Sequence, residues 1–300
     1  MPAPKSFTRI AVDETLLETV QHGSTAFPIQ YYYEDIWNFD FHCVDWHWHP
    51  ELEFVYIASG SAICLIGQEK LIVNAGQGIL INSRVIHRLE AHASTVIPNV
   101  VFSPVLLAAE DSLLYQMYFT PVLNSGMTHL ILSPDTPWQA ACLQKMQDVF
   151  ASLENDELDV IQTVILLLQV WQEIYQHCQA DGRLSPARQD NAVQIRLQLM
   201  LQYIQAHYHE KVCLEDIAFA VHLGKSTVMQ LFHQYIHLSP IAYLIRYRVK
   251  RAALLLRTTE KSIAVIAEET GFESATYFCR KFKEYYQMTP AAYRKSNAGN

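Results

Sequence analysis

Glycine and proline are scarce, at 10 and 12 of 300 residues, which excludes a collagenous or low-complexity chain. Charged residues make up only 17% against 50% hydrophobic, so the chain can bury sizeable cores and is not disordered. Long apolar runs are also missing. The longest aliphatic stretch, Val164-Ile165-Leu166-Leu167-Leu168, falls far short of a membrane span. Met1-Pro2-Ala3-Pro4-Lys5-Ser6 leads into no apolar h-region, so no secretory leader is expected. The six cysteines (Cys43, Cys64, Cys142, Cys178, Cys213, Cys279) form no C-x-x-C pair. That pattern suits reduced thiols in a cytoplasmic protein better than a disulfide framework or a zinc finger.

What charge there is has been sorted. Residues 191–300 hold 14 Lys and Arg against 8 Asp and Glu, whereas residues 1–190 hold 8 against 22. The net of −8 therefore conceals a basic C-terminal third on an acidic body. A polyanion-binding module attached to a regulatory or catalytic domain has this distribution.

Residues 27–103 read as short strands. Apolar runs such as Glu53-Phe54-Val55-Tyr56-Ile57, Ala62-Ile63-Cys64-Leu65-Ile66 and Ile79-Leu80-Ile81 alternate with turn signals at Ser59-Gly60-Ser61, Gly67-Gln68-Glu69 and Asn74-Ala75-Gly76. Turns at this interval, without intervening helix, indicate a sandwich or small barrel. From about Ser103 the period becomes helical, with helices expected over Trp138–Leu153 and Leu158–Cys178. The second is apolar on more than one face around Val164–Val170, so it packs on the barrel and on another subunit, or is an ordinary core helix. The polar stretch 181–190 falls where the charge changes sign and reads as a linker. The expected domains are thus a sensing barrel over 1–103, a helical dimerisation segment over 104–180, and an all-α domain over 191–300.

That last domain contains a repeat. Ile217-Ala218 matches Ile266-Ala267 at an offset of 49, while Phe232 and Phe282, Ser239-Pro240 and Thr289-Pro290, and Tyr243 and Tyr293 match at 50. Each copy, about 214–235 and 262–285, reads helix, tight turn, helix. In the first, Val228, Leu231, Phe232 and Tyr235 form the inward stripe, leaving Lys225, Ser226, Met229, Gln230 and His233 outside. In the second, Ser262 caps the first helix, Gly271 makes the turn, Tyr277, Phe278 and Phe282 face inward, and Ala275, Thr276, Cys279, Arg280 and Lys283 face outward. Paired helices with a polar, basic second face suit insertion into a DNA major groove. Ser239-Pro240 opens a connecting helix to about Arg257, which could fix the two readers rigidly.

The stretch from Ala252 through Ser262-Ile263-x-x-Ile266-Ala267-x3-Gly271-Phe272-x-Ser274-x-x-Tyr277-Phe278-x-Arg280-x-Phe282-Lys283-x5-Thr289-Pro290-x-x-Tyr293-Arg294 resembles the C-terminal signature of the AraC/XylS transcription regulators. His237 and Gln287 depart from it, standing where glycine is common, as does Cys279 in place of serine. The resemblance implies two helix-turn-helix motifs reading successive major grooves of an operator or promoter, with base-reading positions Ser226, Met229 and Gln230, then Ala275, Thr276 and Arg280. It implies RNA polymerase as a further partner if the protein is an activator.

In the N-terminal half, Trp46-His47-Trp48-His49-Pro50-Glu51-Leu52-Glu53 contains H-x-H-x3-E, and Gly76-x5-Asn82-x4-His87 has the spacing of a second half-motif. Together these resemble the cupin barrel, in which three histidines and a glutamate can hold a divalent metal; Asn82 and Ala91 depart from its usual proline and asparagine. The resemblance makes His47, His49, Glu53 and His87 candidate metal ligands, and such a set suits iron, nickel, zinc or manganese. Alternatively the same groups contact a small polar effector such as a sugar, with Trp46, Trp48 or Tyr56 stacking on it. Tyr31-Tyr32-Tyr33 reads as core and edge packing. The fold class expected is α+β with two domains, a cupin-like barrel with helices followed by tandem helix-turn-helix units, in a cytoplasmic homodimeric regulator. A metal-dependent cupin enzyme, an isomerase or dioxygenase with an incidental basic tail, is the alternative.

Overall fold

The computed structural model describes residues 10–155, 159–185 and 190–297. The N-terminal Met1–Ser6, the expected helix start at Leu158, and linker residues 186–189 lie outside them. The chain divides into two compact units at Asp190/Asn191, except that Glu14–Leu16 group with the second. Among the described residues no helix is long and apolar enough to cross a membrane.

The first unit is built on strands β1 (Ile29–Asp35), β2 (Cys43–His47), β3 (Leu52–Tyr56), β4 (Ser61–Ile66), β5 (Glu69–Asn74), β6 (Gly78–Ile81), β7 (His87–Glu90), β8 (Val96–Phe102) and β9 (His129–Leu132). They form two antiparallel sheets, ordered β1-β8-β3-β6-β9 and β2-β7-β4-β5. The expected barrel is not closed: among the described residues no ladder joins the two sheets, and each keeps its own edge strands. The wholly helical reading of 104–180 also needs correction. After the short helix α1 (Thr120–Leu123), His129-Leu130-Ile131-Leu132 adds to the edge of the larger sheet beside β6. A three-residue apolar run between Gly126 and Pro134 is too short to declare its period when helical patterns flank it.

Strand alternation sorts the interior into two layers. On β3, Leu52 and Phe54 join Val100, Phe102 and Leu80 beneath the helices α2 (Pro137–Glu154) and α3 (Val160–Ala180). Val55 and Ile57 turn the other way and meet Val44, Cys64, Ile79 and Leu89 between the sheets. Glu53 belongs to this inter-sheet side. Gly78 is required where it stands, since a Cβ there would lie 2.5 Å from the Phe54 ring and 2.8 Å from Leu143. Most of the apolar surface of α3 faces the core through Leu166, Leu167, Val170, Trp171 and Ile174. Its second apolar face is confined to the first turns, where Ile161 is 74% exposed and Ile165 41%.

The second unit holds α4 (Asp190–His207), α5 (Leu214–Ala220), α6 (Lys225–Tyr235), α7 (Pro240–Thr258), α8 (Ile263–Glu269), α9 (Ala275–Tyr286) and α10 (Pro290–Asn297). Ser239, Ser262 and Ser274 cap α7, α8 and α9 by accepting from the backbone N–H of Ala242, Val265 and Tyr277. The offset of 49 between α5 and α8 becomes 50 between α6 and α9, which places the extra residue in the turn before α9. His222 and Gly271 occupy the same place in the two turns, with φ of 52° and 78°. They differ in what surrounds them. A Cβ on Gly271 would collide with the Tyr208 carbonyl and lie 2.9 Å from Arg248 Nη2, so only glycine fits.

His237 and Gln287, the departures from the usual glycine, both adopt the left-handed conformation at φ 55° and 54°. The turn geometry is therefore kept without the residue that adopts it most easily. Exchanging the first pair tests the steric account. Gly271→Ala should lower stability by about 2 kcal/mol or more, and His222→Gly should shift it by less than about 1 kcal/mol. Urea denaturation followed by far-ultraviolet circular dichroism reads both; equal effects would refute the crowding at Gly271.

Candidate functional site

Two constellations carry chemistry, one in each unit. In the second unit, α6 and α9 bury Val228, Leu231 and Phe232, and Phe278 and Phe282 respectively, while Tyr235 and Tyr277 are half-buried. The opposite faces present Lys225, Ser226, Gln230 and His233 exposed with Met229 half-buried, then Thr276, Arg280 and Lys283 exposed with Ala275 half-buried. Lys225 Nζ reaches Glu215 Oε1 at 2.7 Å, and the Arg280 guanidinium lies 5.2 Å from the centre of the Tyr277 ring. Not all the basic charge of this unit faces outward. Buried Arg248 donates to the carbonyls of Tyr208 and Glu210 at 2.7 and 2.6 Å, and Arg294 donates to that of Lys261 at 2.6 Å. These two hold the helices together.

In the first unit, His47, His49, Glu53 and His87 come together, all four buried, with ligand-type atoms within 4.8 Å of one another. Different elements deliver them. Glu53 comes from the larger sheet, while His47 and His87 pair across β2 and β7 of the smaller one. His49 lies just past the end of β2. A bulge between Val44 and His47 adds one residue to β2, so simple alternation does not hold there. His87 Nε2 stands 3.0 Å and His49 Nε2 3.4 Å from the same oxygen, Glu53 Oε2.

Tautomers follow from the other ring nitrogens. His47 Nδ1 and His87 Nδ1 each lie 2.8 Å from a backbone carbonyl, of Asp45 and Val85. A carbonyl only accepts, so both Nδ1 atoms carry the proton and both Nε2 atoms offer lone pairs when the rings are neutral. Burial, then the neighbouring His87, pushes the His47 imidazolium down to about 3. Burial also works against the His87 imidazolium, but the Glu53 carboxylate outweighs it and raises that group. Burial would raise Glu53; contacts from His49 and His87 prevail and hold it well below the usual carboxylate range. Three imidazoles and one carboxylate at this spacing fit a divalent transition metal, whose tetrahedral nitrogen ligands stand about 3.4 Å apart.

Sequence reasoning missed a second group beside these four. The segment before β1 runs along the end of β2, where Leu17 bridges Trp48 and the Glu18 N–H donates to the Trp48 carbonyl at 2.9 Å. This brings Glu18 Oε2 to 3.9 Å from His47 Nε2 and 3.5 Å from His22 Nε2. His22 Nδ1 is in turn hydrogen-bonded to the Tyr32 hydroxyl at 2.8 Å. The i, i+4 spacing of Glu18 and His22 was the available signal; nothing local to it pointed at the histidine motif. Tyr32 is buried, as core packing would have it, yet it ends on this polar group.

The adjoining cavity, lined in part by Glu18, His22, Tyr32, Glu34, His47 and Glu53, measures about 20 Å³. That is room for about one water. Trp46, Trp48 and Tyr56 do not line it. Tyr56 lies three residues from Glu53 on a regular strand and packs instead on the layer under α2 and α3.

Residues 31–143 match the family described as AraC-like ligand binding domain, and residues 217–296 match a helix-turn-helix domain. The chain is 28% identical over 297 residues to the HTH-type transcriptional regulator YdeC of Bacillus subtilis, covering 96% of this chain and 98% of that protein. It is 38% identical over 100 residues to the regulatory protein PocR of Salmonella typhimurium, a third of each chain. The chain spans about half or less of other curated relatives it matches, PocR among them. Among solved structures, it is similar to a transcriptional regulator with an AraC-type DNA-binding domain from Chromobacterium violaceum, at 29% identity and a TM-score of 0.35, over 37% of this chain and 98% of that one. The matched domains and the relatives are those of regulators and not of enzymes, which sets the cupin-enzyme alternative aside. The chain belongs to the AraC family of DNA-binding transcription regulators, with a ligand-binding domain ahead of its helix-turn-helix domain.

Proposed function

We propose that this regulator reads a specific duplex sequence with α6 and α9 and that its N-terminal domain binds a divalent transition-metal ion on His47, His49, Glu53 and His87. The observation that carries the metal reading is the donor set itself: buried imidazole lone pairs and a carboxylate directed at one point. Without a cation or shared protons, such a group costs several kcal/mol to bury. The volume beside it, about 20 Å³, suits an ion with a water and leaves no space for a sugar. On this reading the metal is the small effector, and the protein acts in the cytoplasm, engaging RNA polymerase where it activates.

Purification without chelators should yield about one metal per chain by elemental analysis, and the quadruple alanine variant should carry none. Loading should also raise the melting temperature, because a ligand that binds only the folded state stabilises it. Wild-type protein that takes up no zinc, nickel, manganese or iron would sink the metal reading.

At the DNA surface, Ser226, Met229, Gln230, Ala275, Thr276 and Arg280 face the base edges, and Lys225, His233 and Lys283 the backbone. Arg280 can make a bidentate contact to guanine, worth about 1–3 kcal/mol of discrimination. Arg280→Ala should therefore reduce the ratio of specific to non-specific binding roughly tenfold or more, whereas Lys283→Ala should weaken all duplexes alike and lower the salt slope by about one. A binding-site selection followed by titration decides this, and an unchanged ratio for Arg280→Ala contradicts the register of α9.

The exposed Ile161 and Ile165 on α3 give the homodimer its contact, a second copy covering the same face by two-fold symmetry. Sedimentation should then find a dimer that the double variant Ile161→Glu, Ile165→Glu converts to monomer. A wild-type monomer at tens of micromolar, a concentration at which an interface worth about 8 kcal/mol assembles, would rule the dimer out.

A further inference from the structure

A cavity of about 230 Å³ lies between β9, the first turn of α2 and the last turn of α3, and it shares no residue with the histidine cluster. Leu130 and Trp138, both of the layer under α2 and α3, give it an apolar side. The Trp138 ring is stacked on His177, with centroids 4.0 Å apart and planes within 10°. The rest of the wall is rich in donors. Arg183, half-exposed at the rim, has its Nε 3.5 Å from Asp181 Oδ2, and a planar guanidinium carries four further N–H donors on its terminal nitrogens. The side-chain oxygen of Gln139 accepts from the Ser133 N–H at 2.8 Å, which leaves its NH₂ group as donor. His129 Nδ1 lies 3.0 Å from the Thr128 hydroxyl. Burial disfavours the charged form of this ring, and the hydroxyl, which can donate or accept, leaves either nitrogen able to carry the proton.

A guanidinium fork with a neutral amide donor beside it is the complement of a carboxylate. We propose that this cavity is a second binding site and that it takes a small organic carboxylate, gripped by Arg183 and Gln139, with its apolar or aromatic body along Leu130 and Trp138. Asp181 orients the guanidinium from its Nε edge. The volume is below that of drug-sized pockets, which limits the ligand to roughly ten non-hydrogen atoms. The site also has a place in the chain suited to control. Its wall includes His177, Cys178, Asp181 and Arg183, on the segment that leads toward Asn191. That segment is anchored where the Arg183 N–H donates to the Cys178 carbonyl at 2.9 Å and the Gly126 N–H to the Ser185 carbonyl at 3.1 Å. A carboxylate held by Arg183 clamps the same turn.

The test titrates the full chain with benzoate, phenylacetate and hexanoate, using calorimetry and tryptophan fluorescence, with benzamide as the neutral counterpart of benzoate. At least one carboxylate should bind saturably. Benzamide should bind at least about tenfold more weakly than benzoate, and R183Q should weaken the carboxylate at least about tenfold while keeping its metal content and melting temperature. The proposal is overturned if none of the three saturates below about 10 mM, if benzamide binds as well as benzoate, or if R183Q binds the carboxylate as wild type does.

Discussion

The N-terminal domain is organised around one burial problem: a carboxylate oxygen 3.0 Å from one imidazole and 3.4 Å from another, between two sheets. Each sheet delivers part of the group, so the contact exists only when the two are correctly packed. An ion pair of this kind gains little net stability once desolvation is counted, but removing one partner leaves a buried charge that costs about 3–5 kcal/mol. Backbone carbonyls from Asp45 and Val85 orient two of the rings, in the manner by which outer groups orient metal ligands. Glu18 and His22 extend the polar group outward to Tyr32, so the segment before the first strand is held by the same electrostatics that hold the site.

The DNA-binding unit solves a different problem, which is to hold two short helix pairs rigid enough to read DNA. Helices of seven to twelve residues are marginal alone. They persist here because apolar stripes pack them against α7 and because arginines satisfy carbonyls inside the unit, Arg248 at Tyr208 and Glu210, Arg294 at Lys261. The two copies are not interchangeable at the turn. Crowding by Tyr208 and Arg248 imposes glycine at 271, whereas the equivalent position 222 is an exposed histidine in the same left-handed conformation.

Much of this organisation is legible in the residues. The spacing of His47, His49, Glu53 and His87 pointed to one interior place, although strands of two different sheets bring them there. The outward faces of α6 and α9 followed from the i, i+3, i+4 spacing of Val228, Leu231 and Phe232 and its counterpart at Phe278 and Phe282. What was lost is non-local. The strand at His129–Leu132 is defined by pairing with β6, a partner about fifty residues away that no local period reports. The open sandwich differs from a closed barrel only in which edges pair. Glu18 and His22 reach the site through a single bridge between Leu17 and Trp48, and the distance between Glu53 and Tyr56 on one strand assigned them to opposite layers.

The central claim is that three imidazoles and one carboxylate, and no thiolate, bind a metal in the N-terminal domain. X-ray absorption spectroscopy of the metal-loaded full-length protein tests it most directly. The account predicts a first shell of nitrogen and oxygen at about 2.0–2.2 Å with the outer-shell scattering of about three imidazole rings. A sulfur scatterer near about 2.3 Å, or a shell without imidazole, would contradict it.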